Sequence, residues 1–356
     1  MQRIGLLFYR IFELLHTLNL TSFRTSKLLR MKLKALFTTL IILIILPLSE
    51  AKRIWGFYAH KQINRIAIFT LPPEMIKFYK THIHYISENA VNPDKRRYAV
   101  EDEAPKHYID IDHYGDSALF VMPRYWQDAV DTYSEDTLVA YGIVPWHINR
   151  IHFQLTDAFR IGDAKSILRL SADLGHYVAD ANVPLHTTEN YNGQLTNQHG
   201  IHGFWESRLP ELFGQDYNLF TGKATYLENV QLEAWEALTQ AHYALDSVLS
   251  FEMTLSESID EDKKYTFEER GQSTIRTYSK PYSTKYHNDL NGMIERQMKR
   301  SIKMVGDIWY TCWINAGQPD LDSLINYAPT EEELDQRRNE LAEWKEERYR
   351  SRSHEH

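Results

Sequence analysis

GHYVADANVPLH, residues 175–186, followed by HGIHGFWE, residues 199–206, decides how this chain reads. The two stretches place His176 and Asp180 four residues apart, His186 six further on, and His202 and Glu206 again four apart. Residues four apart share one face of a helix, so each pair can aim two ligands at one point. Imidazole and carboxylate together form a donor set that zinc accepts. No cysteine belongs to the pattern. Structural zinc sites are usually cysteine-rich and coordinatively closed, so the pattern points to a working metal site. His-x-x-x-Asp alone is common by chance; followed in register by His and then His-x-x-x-Glu, it is not. His82, His84, His113, His147, His152 and His199 lack that register, with His113 and His199 the nearest decoys.

Outward from this core the apolar spacing is helical. HKQINRIAIFTL (residues 60–71) repeats Ile63, Ile66, Ala67 and Leu71 at a period near 3.6. PPEMIKFYKTHIHYISENAV (residues 72–91) opens on prolines suited to a first helical turn and reads as one helix. PWHINRIHFQLTDAFRIG predicts a helix ending near Gly162, and Asp163 is an N-cap candidate for the next, running to about Ala181. Pro184 breaks it. Two more helices are predicted, around ENVQLEAWEALTQAHYALDSVLSF and HNDLNGMIERQMKRSIKMVGDIWYTCWINAG. No convincing series of alternating strands appears. The expectation is an all-α, single-domain multi-helix bundle over residues 52–328.

Two further segments offer ligands. In IWGFYAHK, Trp55 precedes His60 by five residues. In NPDKRRYAVEDEAPKHYIDIDHYG, Asp94 precedes His107 by thirteen, and the two can meet if the segment loops back. Taken alone, the first is a lone histidine of the kind usually structural, and the second a charged loop.

In order and spacing, WGFYAH (55–60), KHYID (106–110), GHYVADANVPLH and HGFWE together resemble the superfamily of bacterial zinc-dependent phospholipases C and fungal single-strand-specific zinc nucleases. The resemblance covers Trp55 to about Gly317. It implies an all-helical fold and up to three zinc ions. Carried over by motif, Asp94, His107, His176 and Asp180 would hold one zinc, with Asp102 and Glu103 competing for the place of Asp94. Asp180 would bridge to a second zinc, held also by His60 and the main chain of Trp55. His186, His202 and Glu206 would hold the third. Asp94 and Asp180 are the carboxylates expected to act in catalysis. In well-known members the Trp is the mature N-terminus, and its free amine binds metal.

Composition sets the remaining bounds. One cysteine, Cys312, excludes an internal disulfide and sits among aromatic residues, as a buried inert thiol does. Residues 31–51 read as a signal peptide: Lys32 and Lys34, an apolar run from Ala35 to Leu48, then Ser49-Glu50-Ala51. The run is short for a membrane-spanning helix. Met31 is then the expected start, with residues 1–30 an over-extended gene model. The expected product is exported, to the periplasm or outside the cell, and begins at Lys52. Trp55 then has no free amine, so the zinc near Trp55 and His60 is expected to be weak or empty unless the chain is trimmed further. Removing residues 1–51 takes away seven Lys/Arg and two Asp/Glu and moves the net charge from −8 to −13. That argues against a broad basic surface for nucleic acid. Residues 329–356 are densely charged, with Thr330 and Glu333 spaced as a capping box, and read as a solvated terminal helix without chemistry.

For substrate, the short Trp-to-His spacing is similar to the nucleases and Glu206 to the phospholipases. The expectation is a phospholipase-C-like phosphodiesterase acting through metal-bound hydroxide. A single-strand-preferring zinc endonuclease is the alternative, and an exported zinc-binding protein without catalysis the second. No GxSxG motif offers a serine nucleophile. The expected partner is a phosphodiester, as a phospholipid head group or single-stranded nucleic acid, with transient contact to a membrane surface and no protein partner evident.

Overall fold

The computed structural model describes residues 57–346 except 271 and 272, together with residue 348. The expected signal peptide, its cleavage before Lys52, and Trp55 lie outside the described residues. By backbone contacts, the described residues up to Glu269 and from Thr274 onward form one unit, which carries every element below except the tip of a small hairpin.

The described chain is mostly helical, and its helices follow the spacing of apolar residues. Helix α1 (Tyr58–Ala67) buries His60, Ile63, Asn64 and Ala67, one face at steps of three and four. A short 3-10 turn ends it before Pro72. Helix α2 (Pro73–Thr81) takes proline in its first turn and stops at His82, where φ is −99° and ψ 17°. Helix α3 (Ile83–Asn89) then restarts, so the one helix expected over residues 72–91 is two. Helix α4 (Asn92–Arg96) carries Asp94. Helix α5 (Val144–Ile161) ends at Gly162 in the left-handed conformation that suits a glycine cap.

Helix α6 (Ala164–Asp180) starts where the Asp163 side chain accepts from the Ser166 N–H. From Leu170 to Asp180 every residue is buried, the mark of a helix enclosed on all sides. It packs against α1, α3, α5 and helix α9 (Met293–Asn315). Close approach of α1 requires Gly175: a Cβ there would lie 2.2 Å from Asn64 Oδ1. Helix α7 (Val230–Ser258) is capped by Asn229 and packs on α5. Helix α8 (Lys280–Asp289) is separate from α9, because Asn291 and Gly292 take φ values of 46° and 74°. The long helix expected there is therefore broken.

Sequence reading missed the two-stranded hairpin of β1 (Tyr265–Arg270) and β2 (Ser273–Tyr278). Helix α10 (Glu331–Glu343) has the expected capping box of Thr330 and Glu333 and buries no residue. It is docked rather than merely solvated: Arg337 donates to Asn89 Oδ1 at 2.5 Å, and Lys165 pairs with Glu333 at 3.4 Å. Cys312 is fully buried, and burial pushes its thiol up to about 12. No described helix is long and apolar enough to cross a membrane.

Candidate metal centre

Six segments deliver the donors. His60 lies in the first turn of α1, Asp94 on α4, and His107 at the end of a 3-10 turn, Ala104–His107. His176 and Asp180 close the C-terminal end of α6. Pro184 sets a second 3-10 turn, Pro184–Thr187, which turns His186 back toward them. His202 lies in a short helix, Ile201–Gly203, and Glu206 in the π-helical turn Phe204–Arg208 that continues it. The final pair is thus not on regular α-helix as expected, yet His202 Nε2 and Glu206 Oε2 stand 2.8 Å apart.

These donors fall into three groups: His60, His176 and Asp180; Asp94, His107 and His176; and His186, His202 and Glu206. Each is a set of buried or half-buried ligand atoms that could hold a metal ion. Around the second group, His107 Nδ1 is 2.9 Å from Asp180 Oδ2 and 3.1 Å from His176 Nε2. Asp94 Oδ1 faces both rings, at 3.9 Å and 3.8 Å. Asp180 turns its other oxygen, Oδ1, toward His60 Nε2 at 3.6 Å. Glu206 divides its oxygens likewise, Oε1 at 3.0 Å from His60 and Oε2 at 3.3 Å from His186 Nε2. Two carboxylates therefore link three donor groups in a row.

Backbone carbonyls aim two of the rings. His176 Nδ1 meets Ala90 O at 2.8 Å, and His186 Nδ1 meets His107 O at 2.5 Å. A ring that donates Nδ1–H outward presents Nε2 inward, the usual device for orienting a metal ligand. The His60 ring stacks on His176, with centroids 4.1 Å apart.

Charge follows from crowding. Burial works against ionisation of Asp180, but the His176 and His186 imidazoles hold its carboxyl well below the usual range. Burial likewise opposes charge on Glu206, and hydrogen bonds and charge from His186, then His202 and His60, hold it well below the usual range. For Asp94 the opposing burial is outweighed by His176, Arg97 and His107. Burial would lower His176, but Asp180 and Asp94 push it up to about 9. Burial dominates at His202 and brings it down to about 4. In the metal-free chain the cluster thus holds ionised carboxylates against a protonated imidazole, a charge pattern into which a cation fits.

The decoys stay out: none of His82, His84, His113, His147, His152 or His199 joins a group. His113 and His199 are exposed. Of the competitors for the place of Asp94, Glu103 lies on the far side of His107, bound to Arg96 and Lys106, and Asp102 is exposed. Sequence reading missed the Ala90 and His107 carbonyls and the position of Glu103 beside His107 Nε2. Of these, only the i, i+4 spacing of Glu103 and His107 left a signal. No protein-family model and no curated protein matches the chain.

Proposed function

We propose that the chain is an exported zinc-dependent phosphodiesterase that cleaves phospholipids in the manner of a phospholipase C. The observation that carries this reading is the row of three donor groups joined through Asp180 and Glu206.

Donor spacing supports zinc. Ligands about 2.0–2.1 Å from a tetrahedral ion stand roughly 3.3 Å from one another. His186, His202 and Glu206 present separations of 3.1, 2.8 and 3.3 Å. Magnesium and calcium favour all-oxygen sets, whereas this set is mostly imidazole. When bound, zinc supplies a nucleophile at neutral pH and positive charge against the phosphoryl oxygens.

The side chains supply the rest. Asp180 and Glu206 hold neighbouring centres at a fixed spacing. Asp94 and Glu206 are the most exposed of the donors, at 13% and 11%, against 4% or less for the other donor side chains. They mark the side from which a phosphodiester enters. Asp94 would take a proton from the attacking water, and His176 together with Arg97, whose Nη1 is 3.7 Å from Asp94 Oδ1, favours its ionised form. The acidic balance of the exported chain supports a single phosphodiester on a lipid over a polyanion. One observation favours the nuclease reading instead, the five-residue spacing of Trp55 and His60.

Zinc-loaded exported protein assayed on phosphatidylcholine vesicles, single-stranded DNA and an aryl phosphodiester tests the proposal. Release of the phosphorylated head group is expected. Cleavage of DNA alone would move the assignment to the nucleases. Tight zinc with no turnover on any substrate would leave a binding protein.

A further inference from the structure

His107 differs from the other histidines of the cluster: it faces the carboxylates through Nδ1, not Nε2. Its Nδ1 lies 2.9 Å from Asp180 Oδ2. An ionised carboxylate only accepts; Asp180 Oδ2 takes the His176 Nε2–H at 3.2 Å and the His107 Nδ1–H at 2.9 Å, so in the metal-free chain Nδ1 of His107 carries the hydrogen and Nε2 the lone pair. Nε2 is buried and has no hydrogen-bond partner among the described residues. A carboxylate oxygen, Glu103 Oε1, stands 4.0 Å from it. Two acceptors facing each other account for a gap wider than a hydrogen bond.

Glu103 is pinned on its other sides. Arg96 Nη2 donates to Oε1 at 3.0 Å, Lys106 Nζ to Oε2 at 2.9 Å, and the Tyr177 hydroxyl to Oε1. The second arm of Arg96 holds Asp173 at 3.1 Å. Tyr177 and Asp173 belong to α6, the helix that ends in His176 and Asp180. These contacts hold the buried carboxylate in place with Oε1 4.0 Å from His107 Nε2.

A metal ion on Nδ1 needs its lone pair, and a neutral coordinating imidazole then carries its hydrogen on the other nitrogen. At Nε2 that hydrogen is a buried donor, costly to leave unmet. We propose that Glu103 is the positioning residue for the His107 ligand: on metal loading His107 changes tautomer from Nδ1–H to Nε2–H, and Glu103 Oε1 accepts the new hydrogen bond. The ring stays neutral; the proton leaving Nδ1 is matched by one taken up at Nε2. The inference rests on zinc binding at this cluster, and not on which phosphodiester is cleaved.

Histidine-15N NMR of the exported protein, without and with zinc, tests it directly. His107 is expected to read as Nδ1–H without metal and as Nε2–H with it, the new proton shifted downfield by its carboxylate partner. In Glu103→Gln that proton moves upfield. Zinc at this centre weakens about 10–100-fold by chelator competition, while the centre of His186, His202 and Glu206 keeps its affinity. The wild-type spectra decide the matter even if the variant does not fold. Bound zinc with His107 still Nδ1–H, or unchanged affinity in folded Glu103→Gln, overturns the proposal and leaves the proposed function standing. Failure of the wild-type protein to take up zinc overturns both.

Discussion

Glu206 Oε1 lies 3.0 Å from His60 Nε2, although 146 residues separate the two in the chain. Its other oxygen lies 2.8 Å from His202 Nε2. A carboxylate expected to serve one ion thus faces two donor groups, as Asp180 does. One negative group between two cations offsets their repulsion, and a neutral amide cannot. Asp180→Asn and Glu206→Gln are therefore each expected to lose more than one equivalent of zinc by elemental analysis and to abolish hydrolysis. His199→Ala, at an exposed histidine outside the groups, is expected to keep both. Inactivation by His199→Ala together with full activity of Asp180→Asn would show the wrong register.

Metal-free stability depends on pH in a calculable direction. His176 is raised in the folded chain from 6.5 to about 9, because Asp180 and Asp94 outweigh burial. Its contribution is complete below 6.5 and is lost as pH rises through about 9. His202 is lowered from 6.5 to about 4 by burial, so its contribution is present above 6.5 and lost as pH falls through about 4. The metal-free melting temperature is expected to peak near pH 6.5 and fall on both sides. Zinc bound as proposed would displace the His176 proton, so zinc affinity is expected to rise with pH up to about 9. Calorimetry with and without zinc checks both; a zinc affinity flat from pH 6 to 9 would contradict this.

The sequence showed the centre best where ligands share a helix. His176 and Asp180 sit one turn apart on α6 as their spacing requires. His202 and Glu206 also met, although a π-turn replaces the regular helix, because one local turn tolerates either geometry. Asp94 could not be separated from Asp102 and Glu103 by spacing. Pro105 and a 3-10 turn interrupt the helical register before His107, and only tertiary packing puts Asp94 inside and Glu103 behind. The breaks at His82 and at Asn291–Gly292 fall inside continuous apolar periods, so periodicity ran across them. The hairpin escaped notice because YTFEER and STIRTY each hold only two apolar or aromatic residues, too few for a sustained period-2 run.

Gly175 couples the fold to the centre. Gly175→Ala would put a methyl 2.2 Å from Asn64 Oδ1, so the Asn64 side chain or α1 itself must shift beside His176. The expected cost is about 1–3 kcal/mol of stability, read as a lower denaturant midpoint. Zinc held by His60 together with Asp180 should weaken more than zinc held by His186 and His202. Unchanged stability would mean that the helices yield freely.

Intact mass of the exported protein is expected to place its first residue at Lys52, giving Trp55 no free amine. Mild chelation should then remove one zinc first, before the helical fold melts. A variant chain beginning at Trp55 should hold that zinc more tightly. Equal affinity and equal rate in the two forms would show that another group completes the site beside His60.

The most direct measurement is a zinc titration of chelator-stripped protein, followed by hydrolysis of an aryl phosphodiester and by bound zinc per chain. Three donor groups linked by Asp180 and Glu206 predict that activity lags the first equivalent and rises as a second binds. Full activity without zinc, or activity complete at a single equivalent, would contradict the account.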